Sequence, residues 1–426
     1  MIKGKNILIV CYGFPPNPGV GGRRWAKFAK YLNRSGNNVN VVAAKNIFAE
    51  KSEWLNDING ITVEYLPVKY PKVIIKGPSC FFEKVQYRFW IYVLRLIYRG
   101  NYYDRSVFWK QQVQKNISDK ILQNKIDTVI VSAGPFKLSY YVVQLKLKFP
   151  NIKFITDFRD LWTEDTEISS FSRLSKRRIL IEKKFEKETI LLSDVVLTVA
   201  DTITNYFKHL ERKKHVYTLL NGYDYDDFSA IKNNQNKIIK DDKIRFIFTG
   251  TLYINLSYIL DPFFKAFSNI CNSDIKLKNK LIIEFYGFFP KEYILYIDKY
   301  SIKDNVKING KVPLHVIYNR LQQADICLLF LNDCYRFALS TKFCEYISQN
   351  KKVLLCSNSG EAADFINLHN LGYSVTPENC LEQLQKVIDK IQQKDFNENS
   401  KNIETQNIIN QFSLPYLTNK LISYIS

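Results

Sequence analysis

Along the whole chain, short runs of β-branched and other apolar residues alternate with longer stretches whose apolar positions recur every three or four residues. This alternation predicts βαβ units around parallel sheets, because a strand covered on both faces reads as one apolar run and its crossover helix as an amphipathic one. Strands are expected near Ile7–Val10, Val39–Ala43, Thr62–Leu66, Thr128–Ser132, Phe154–Thr156 and Val195–Val199. A second series is expected at Arg245–Thr249, Leu281–Phe285, Val306–Ile308, Ile326–Leu329 and Val353–Leu355. Between the two series, residues 221–243 are polar and aperiodic, which predicts a largely exposed linker. The expected fold class is α/β, with two doubly wound Rossmann-like domains at 1–220 and 244–405, and a final helical segment, 406–426, returning to the first domain.

Length agrees with this division, since 426 residues are enough for two domains that each bury a core. The eight cysteines lie scattered in apolar stretches without metal-ligand or dithiol spacing and read as reduced thiols. The first apolar segment, Asn6 to Tyr12, is strand-length and too short for a signal peptide, and no later run reaches the length of a membrane span. A cytoplasmic protein is expected, soluble or peripheral on the inner face of the plasma membrane. Charge sharpens the picture. Residues 1–150 hold 24 Lys/Arg against 8 Asp/Glu, so a surplus of +16 out of +20 lies in the first third of the chain. That asymmetry suggests that the N-terminal half meets an anionic surface or substrate.

Three places carry candidate chemistry. The loop from Gly13 through Gly21, Gly22, Arg23 and Arg24 follows the first strand and feeds a helix with Trp25, Phe28, Ala29 and Leu32 on one face. Bare glycine amides and a helix dipole at that point favour a phosphate or diphosphate; the alternative is a structural turn. The stretch Phe154 to Trp162 sets Asp157, Arg159 and Asp160 at the end of a buried strand, the ligand crevice of an open α/β sheet; here the alternative is an Asp–Arg pair that braces the loop. In the second half, Ser340 can cap a helix whose first turn carries Thr341 and Lys342, with Glu345 one turn on. Such a turn can hold a diphosphate while Glu345 accepts from a ribose diol, unless it is only a solvated helix face. Gly250 and Thr251 close the strand after the linker in the same way, as Asn358, Ser359 and Gly360 do after Val353–Leu355. The four histidines form no metal-spaced cluster, and no bound metal is expected.

Read in order, these blocks resemble glycosyltransferase family 4, the retaining group with the GT-B fold. They are Phe14-Pro15-Pro16 with Gly21-Gly22-Arg23, Asp157-Phe158-Arg159-Asp160 with Trp162, Asn221-Gly222-Tyr223-Asp224 with Phe228, Gly250-Thr251-Leu252-Tyr253, and Ser340-Thr341-Lys342-Phe343 with Glu345 and Tyr346. The resemblance runs nearly end to end, and its Asp-Phe-Arg-Asp form points to the branch that serves capsule, O-antigen or exopolysaccharide assembly. It implies two Rossmann-like domains facing a central cleft and sugar transfer from a nucleotide-diphosphate donor, without cofactor or metal, to a saccharide or polyprenyl-diphosphate-linked acceptor. It also implies Asp157, Arg159 and Lys342 as catalytic residues. Donor binding would fall to Gly21, Gly22, Arg23, Gly250, Thr251, Ser340, Thr341, Lys342 and Glu345. The chain departs from the family at three points: the first Glu of the Glu-x7-Glu element is Phe337, the Arg and Lys after the first C-domain strand are missing from Gly250 to Leu260, and Asp157 replaces the N-domain His.

A nucleotide-sugar epimerase and a non-catalytic sugar-nucleotide-binding or scaffold protein are the alternatives. A nucleic-acid-binding role is disfavoured, because there is no basic recognition helix, aromatic RNP-like strand or basic low-complexity arm. One segment bears on the anionic surface: residues 80–99 read as a helix dense in aromatics, with Lys84, Arg88, Arg95 and Arg99 against the single acid Glu83. Such a helix can lie in a headgroup layer through Phe81, Phe82, Trp90 and Tyr92, or pack its aromatics on the sheet.

Overall fold

The computed structural model describes residues 4–18, 20–48, 52–164, 170–228, 241–393 and 402–425. The chain forms two compact units, one of residues 1–220 with 417–426 and one of residues 221–416.

Unit 1 is built on seven parallel strands: β1 (Asn6–Cys11), β2 (Asn38–Ala44), β3 (Thr62–Leu66), β4 (Thr128–Ala133), β5 (Lys153–Phe158), β6 (Val195–Thr198) and β7 (His215–Thr218). Their order, β3-β2-β1-β4-β5-β6-β7, puts β1 inside the sheet next to the central β4, where Ile7 to Val10 are fully buried. The order reverses between β1 and β4, paired in parallel from Ile7↔Thr128 to Val10↔Val131, and the carboxyl ends of these two strands form the crevice of a doubly wound sheet. The helix Arg23–Arg34 lays Trp25, Phe28, Ala29 and Leu32 into the core, the face that the spacing predicts.

Unit 2 has six parallel strands: β8 (Ile244–Thr249), β9 (Leu281–Tyr286), β10 (Val306–Ile308), β11 (Ile326–Phe330), β12 (Val353–Cys356) and β13 (Gly372–Val375). Their order is β10-β9-β8-β11-β12-β13, so the reversal here falls between β8 and β11. The core on one face is rich in phenylalanine. Phe246, Phe248, Phe263, Phe264, Phe267, Phe285 and Phe330 are all buried in it, and Phe248 meets both Phe285 and Phe330 at 5.8 Å between centroids.

The expectation of an exposed linker at 221–243 needs correction over its first eight residues. Tyr223 and Asp224 are fully buried, Phe228 packs edge-on against Tyr318 at 4.6 Å, and Tyr223 bridges in parallel to Ser413, all within unit 2. A polar composition misled here, because Tyr223 and Phe228 anchor the segment and the Asp224 carboxylate folds back to accept from the Asp226 amide. Residues 229–240 of the expected linker lie outside the described residues.

The end of the chain is also divided differently from the single segment 406–426. The helix Ile403–Asn410 lies in unit 2, and the following helix, Leu414–Ile425, enters unit 1 from Leu417 onward. There Lys5 Nζ donates to Ile425 O at 2.9 Å, Lys153 Nζ donates to Tyr424 O and Ile425 O, and Tyr217 stacks on Tyr424 at 4.3 Å.

Candidate functional site

The reversal point of unit 1 gathers the loop after β1, the Gly134 turn after β4 and the end of β5. The loop after β1 folds tightly on itself at Gly22, where a Cβ would lie 2.8 Å from Phe14 Cα, so a side chain there would force the loop open. Arg159 reaches back across the crevice. Its Nη1 donates to Gly21 O at 3.0 Å, its Nη2 lies 3.3 Å from where a Cβ on Gly134 would sit, and its Nε is buried with no hydrogen-bond partner.

Asp157 sits differently from expectation. It lies inside β5, fully buried, and not on the rim beyond the strand. Its two oxygens accept from Arg24 Nε and Nη2, both at 3.1 Å, and from Trp25 Nε1 at 2.8 Å. Arg24 donates further to Leu219 O at 2.7 Å and Leu220 O at 2.8 Å. This buried, bidentate pair ties the first helix to the centre of the sheet. Arg24 carries the electrostatics of this corner, although the motif points to its neighbour Arg23. Arg23 is buried, and its guanidinium stacks 4.4 Å over the Trp54 ring. The partnership of Arg24 with Asp157 spans 133 residues and leaves no local signal.

The reversal point of unit 2 joins the end of β8 to the helix Thr341–Ser348, and here six of the sequence-derived residues come together. Ser340 caps this helix, its Oγ accepting from Phe343 N at 3.4 Å. From the first turn, Lys342 extends over Gly250, donates from Nζ to Thr251 O at 2.9 Å and holds its ammonium 4.5 Å above the Phe248 ring. Gly250 is required twice over: its φ is +97°, and a Cβ would lie 2.5 Å from Lys342 Cε. Desolvation pushes the Lys342 ammonium down to about 8, with nearby Glu345 acting in the opposite sense.

Glu345, expected at an exposed helix start beside Thr341, is instead buried, because the helix turns that face toward the protein. Tyr346, which the sequence marks only as part of a block, positions the whole corner. Its hydroxyl accepts from the Thr249 amide at 2.9 Å and lies 3.0 Å from Thr249 Oγ1, pinning the helix to the end of β8. Asn221, from the expected linker, braces the other side, donating to Leu339 O and accepting from Cys344 Sγ. Beyond β12, Gly360 packs under Arg336, whose Cγ would lie 2.8 Å from an added Cβ. Arg336 is an exposed cation that composition could not single out.

Chemically, each corner can receive an anion: unit 1 through Arg159 and the Gly21–Gly22 loop, unit 2 through Lys342 and the amides at the start of a capped helix. No family model matches the chain, and no curated protein matches it by sequence. Its fold is similar to that of a glycosyltransferase from Rickettsia africae ESF-5, at 16% identity, with 99% of this chain and 98% of that one covered and a TM-score of 0.64. It is also similar to a sucrose-phosphate synthase from Thermosynechococcus elongatus, at 11% identity, 99% and 98% coverage and a TM-score of 0.61. A third likeness is to the UDP-GlcNAc 2-epimerase from Methanocaldococcus jannaschii, at 13% identity, 98% and 99% coverage and a TM-score of 0.56. The fold of this chain is thus the GT-B fold, with two parallel-sheet Rossmann-like domains.

Proposed function

We propose that the chain transfers a sugar from a nucleotide-diphosphate donor to a saccharide acceptor in cell-surface polysaccharide assembly, as a retaining member of glycosyltransferase family 4. The observation that carries this reading is the placement of the Lys342 ammonium, held over Gly250 and Thr251 beside a capped helix N-terminus at the reversal point of unit 2. A diphosphate there would meet a cation, backbone amides and the Thr341 hydroxyl without reorganisation.

In the reaction, the bond between the anomeric carbon and the donor phosphate oxygen breaks as the acceptor hydroxyl oxygen bonds to that carbon on the same face. The hydroxyl proton passes to the leaving phosphate, and Lys342 with the helix amides stabilises the charge that develops there, so no metal is invoked. Arg159 and the Gly21–Gly22 loop would meet a phosphate group in unit 1. Asp157, with both oxygens occupied, would act through Arg24 as a positioning residue. We take the acceptor to be linked to a polyprenyl diphosphate at an anionic membrane surface. The charge surplus of residues 1–150 supports this, and no helix among the described residues is long and apolar enough to cross a membrane.

Incubation with radiolabelled UDP-, GDP- and dTDP-sugars and an extracted lipid fraction tests the reading. Label is expected in lipid from one donor class, undiminished by a metal chelator. The fold likeness to the epimerase supports a second reading. Conversion of a nucleotide sugar to its epimer with no acceptor present would replace transfer by epimerisation.

A further inference from the structure

The helix Phe81–Ile97 is an unusual element for unit 1, because Leu94 is its only buried residue. At 3.6 residues per turn, Phe81, Tyr92, Val85, Leu96, Phe89 and Phe82 fall in that order across one arc of about 100°. All six are between 52% and 82% exposed. Lys84, Arg95 and Arg88 follow directly on one flank of the arc, and all three are exposed. Trp90, expected with the outward aromatics, lies nearly opposite Phe81 and is half-buried on the side of Leu94. The helix's one acid is engaged locally, since Glu83 accepts from Ser79 N at 2.7 Å and from Ser79 Oγ at 2.5 Å.

The element is also held firmly at its far end. Arg178 donates to Arg95 O at 2.6 Å, to Gly100 O at 2.9 Å and to Tyr98 O, which clamps the last turn to the helix Lys176–Leu192 and fixes which face looks outward.

We propose that this face is a docking surface for an anionic lipid leaflet, with Phe81, Phe82, Val85, Phe89, Tyr92 and Leu96 entering the headgroup and upper acyl layer and Lys84, Arg88 and Arg95 pairing with lipid phosphates. An apolar arc alone would suit any apolar partner, but a cationic flank directly beside it, in a segment whose only acid is engaged, selects an anionic interface. The helix is about 25 Å long at 1.5 Å per residue and would lie in the plane of the surface. This deepens the proposed lipid-linked acceptor, but its test reads lipid binding and not turnover, so either can fail alone.

The experiment is flotation of the purified full chain with vesicles of phosphatidylcholine, with and without phosphatidylglycerol. The chain is expected to float with the anionic vesicles and to be released by salt. Lys84→Gln/Arg88→Gln/Arg95→Gln should weaken binding about a hundredfold at low salt, at about fivefold per charge near an anionic leaflet. Phe82→Ser/Phe89→Ser/Leu96→Ser should weaken it at least tenfold while the circular dichroism spectrum and melting temperature stay those of the parent. Equal flotation with both vesicles or with neither, or undiminished binding by the apolar variant, overturns the proposal. So does a concentration-dependent dimer that the same apolar variant abolishes, since a second copy of the chain would then cover this face.

Discussion

Both units place glycine-lined loops and basic side chains where their strand order reverses, yet they settle those charges in opposite ways. In unit 1 the guanidinium of Arg24 is consumed internally by the Asp157 carboxylate and two carbonyls. In unit 2 the ammonium of Lys342 has a carbonyl and an aromatic face as neighbours, and desolvation has pushed it down to about 8. A cation paired bidentately with a buried carboxylate holds the fold; an ammonium whose hydrogen bond goes to a carbonyl keeps donors for a ligand that brings an anion. The same topology therefore turns Arg24 into a brace in unit 1, leaving Arg159 and the Gly21–Gly22 loop to meet an anion there, and makes Lys342 itself the receptor in unit 2.

Removing the brace should have the largest effect. Asp157→Ala leaves Arg24 buried without its carboxylate, and a cost of about 3 to 5 kcal/mol is expected, read as a marked drop in melting temperature or urea midpoint. If the variant melts like the parent and only turnover falls, Asp157 is no brace and the contrast collapses.

Next comes the receptor. Lys342→Ala should cost about 1.5 to 3 kcal/mol of nucleotide affinity, tenfold to more than a hundredfold, through loss of one charge-assisted contact. Its melting temperature should stay within a few degrees of the parent's, since the side chain is half-buried and its hydrogen bond goes to Thr251 O. Calorimetry with a nucleoside diphosphate decides this, and unchanged affinity would take Lys342 out of the donor site.

A smaller loss is expected for Gly250→Ala. The left-handed φ of +97° costs an L-residue about 1 to 2 kcal/mol, and the new Cβ displaces the Lys342 stem. Weakening of both stability and nucleotide affinity is expected, where Lys342→Ala weakens affinity alone.

The mildest test uses pH. The Lys342 ammonium loses its proton as pH rises through about 8, whereas in the unfolded chain it keeps that proton to near the ordinary lysine value of 10.5. Between these values the unfolded state binds more protons, so this group's contribution to stability rises with pH while its attraction for a diphosphate fades. Nucleotide affinity should be roughly tenfold weaker at pH 9 than at pH 7, an effect of about 1.4 kcal/mol. Lys342→Arg should flatten the profile, because a guanidinium stays charged throughout.

Most of the sheet architecture was legible because central parallel strands must be apolar on both faces, as Ile7 to Val10 of β1 and Leu354 and Leu355 of β12 are. The two strands that the pattern does not mark, β7 and β13, both close an edge of their sheet. Tyr217, Thr218, Tyr373 and Ser374 are half exposed there, so the apolar run that marks a buried strand never forms. For the site, residues next to strand ends and glycines could be found, since loop chemistry is local. What stayed hidden was pairwise: Arg24 with Asp157, Tyr346 with Thr249, and Asn221 with Leu339 and Cys344 join residues roughly a hundred positions apart. The burial of Glu345 was hidden for the same reason, because which face of a short helix turns inward depends on what it packs against.

The helix that begins at Leu414 has a consequence for how the protein is made. Unit 1 is discontinuous in the chain: the carbonyls of Tyr424 and Ile425 that receive the Lys5 and Lys153 ammonium groups, and the ring that stacks on Tyr217, are synthesised only after all of unit 2. Synthesis runs from the N-terminus, so the nascent sheet of unit 1 must wait for its final helix through nearly two hundred further residues. The unit that starts first is completed last, and until then the groups on its flank that meet this helix go without those partners.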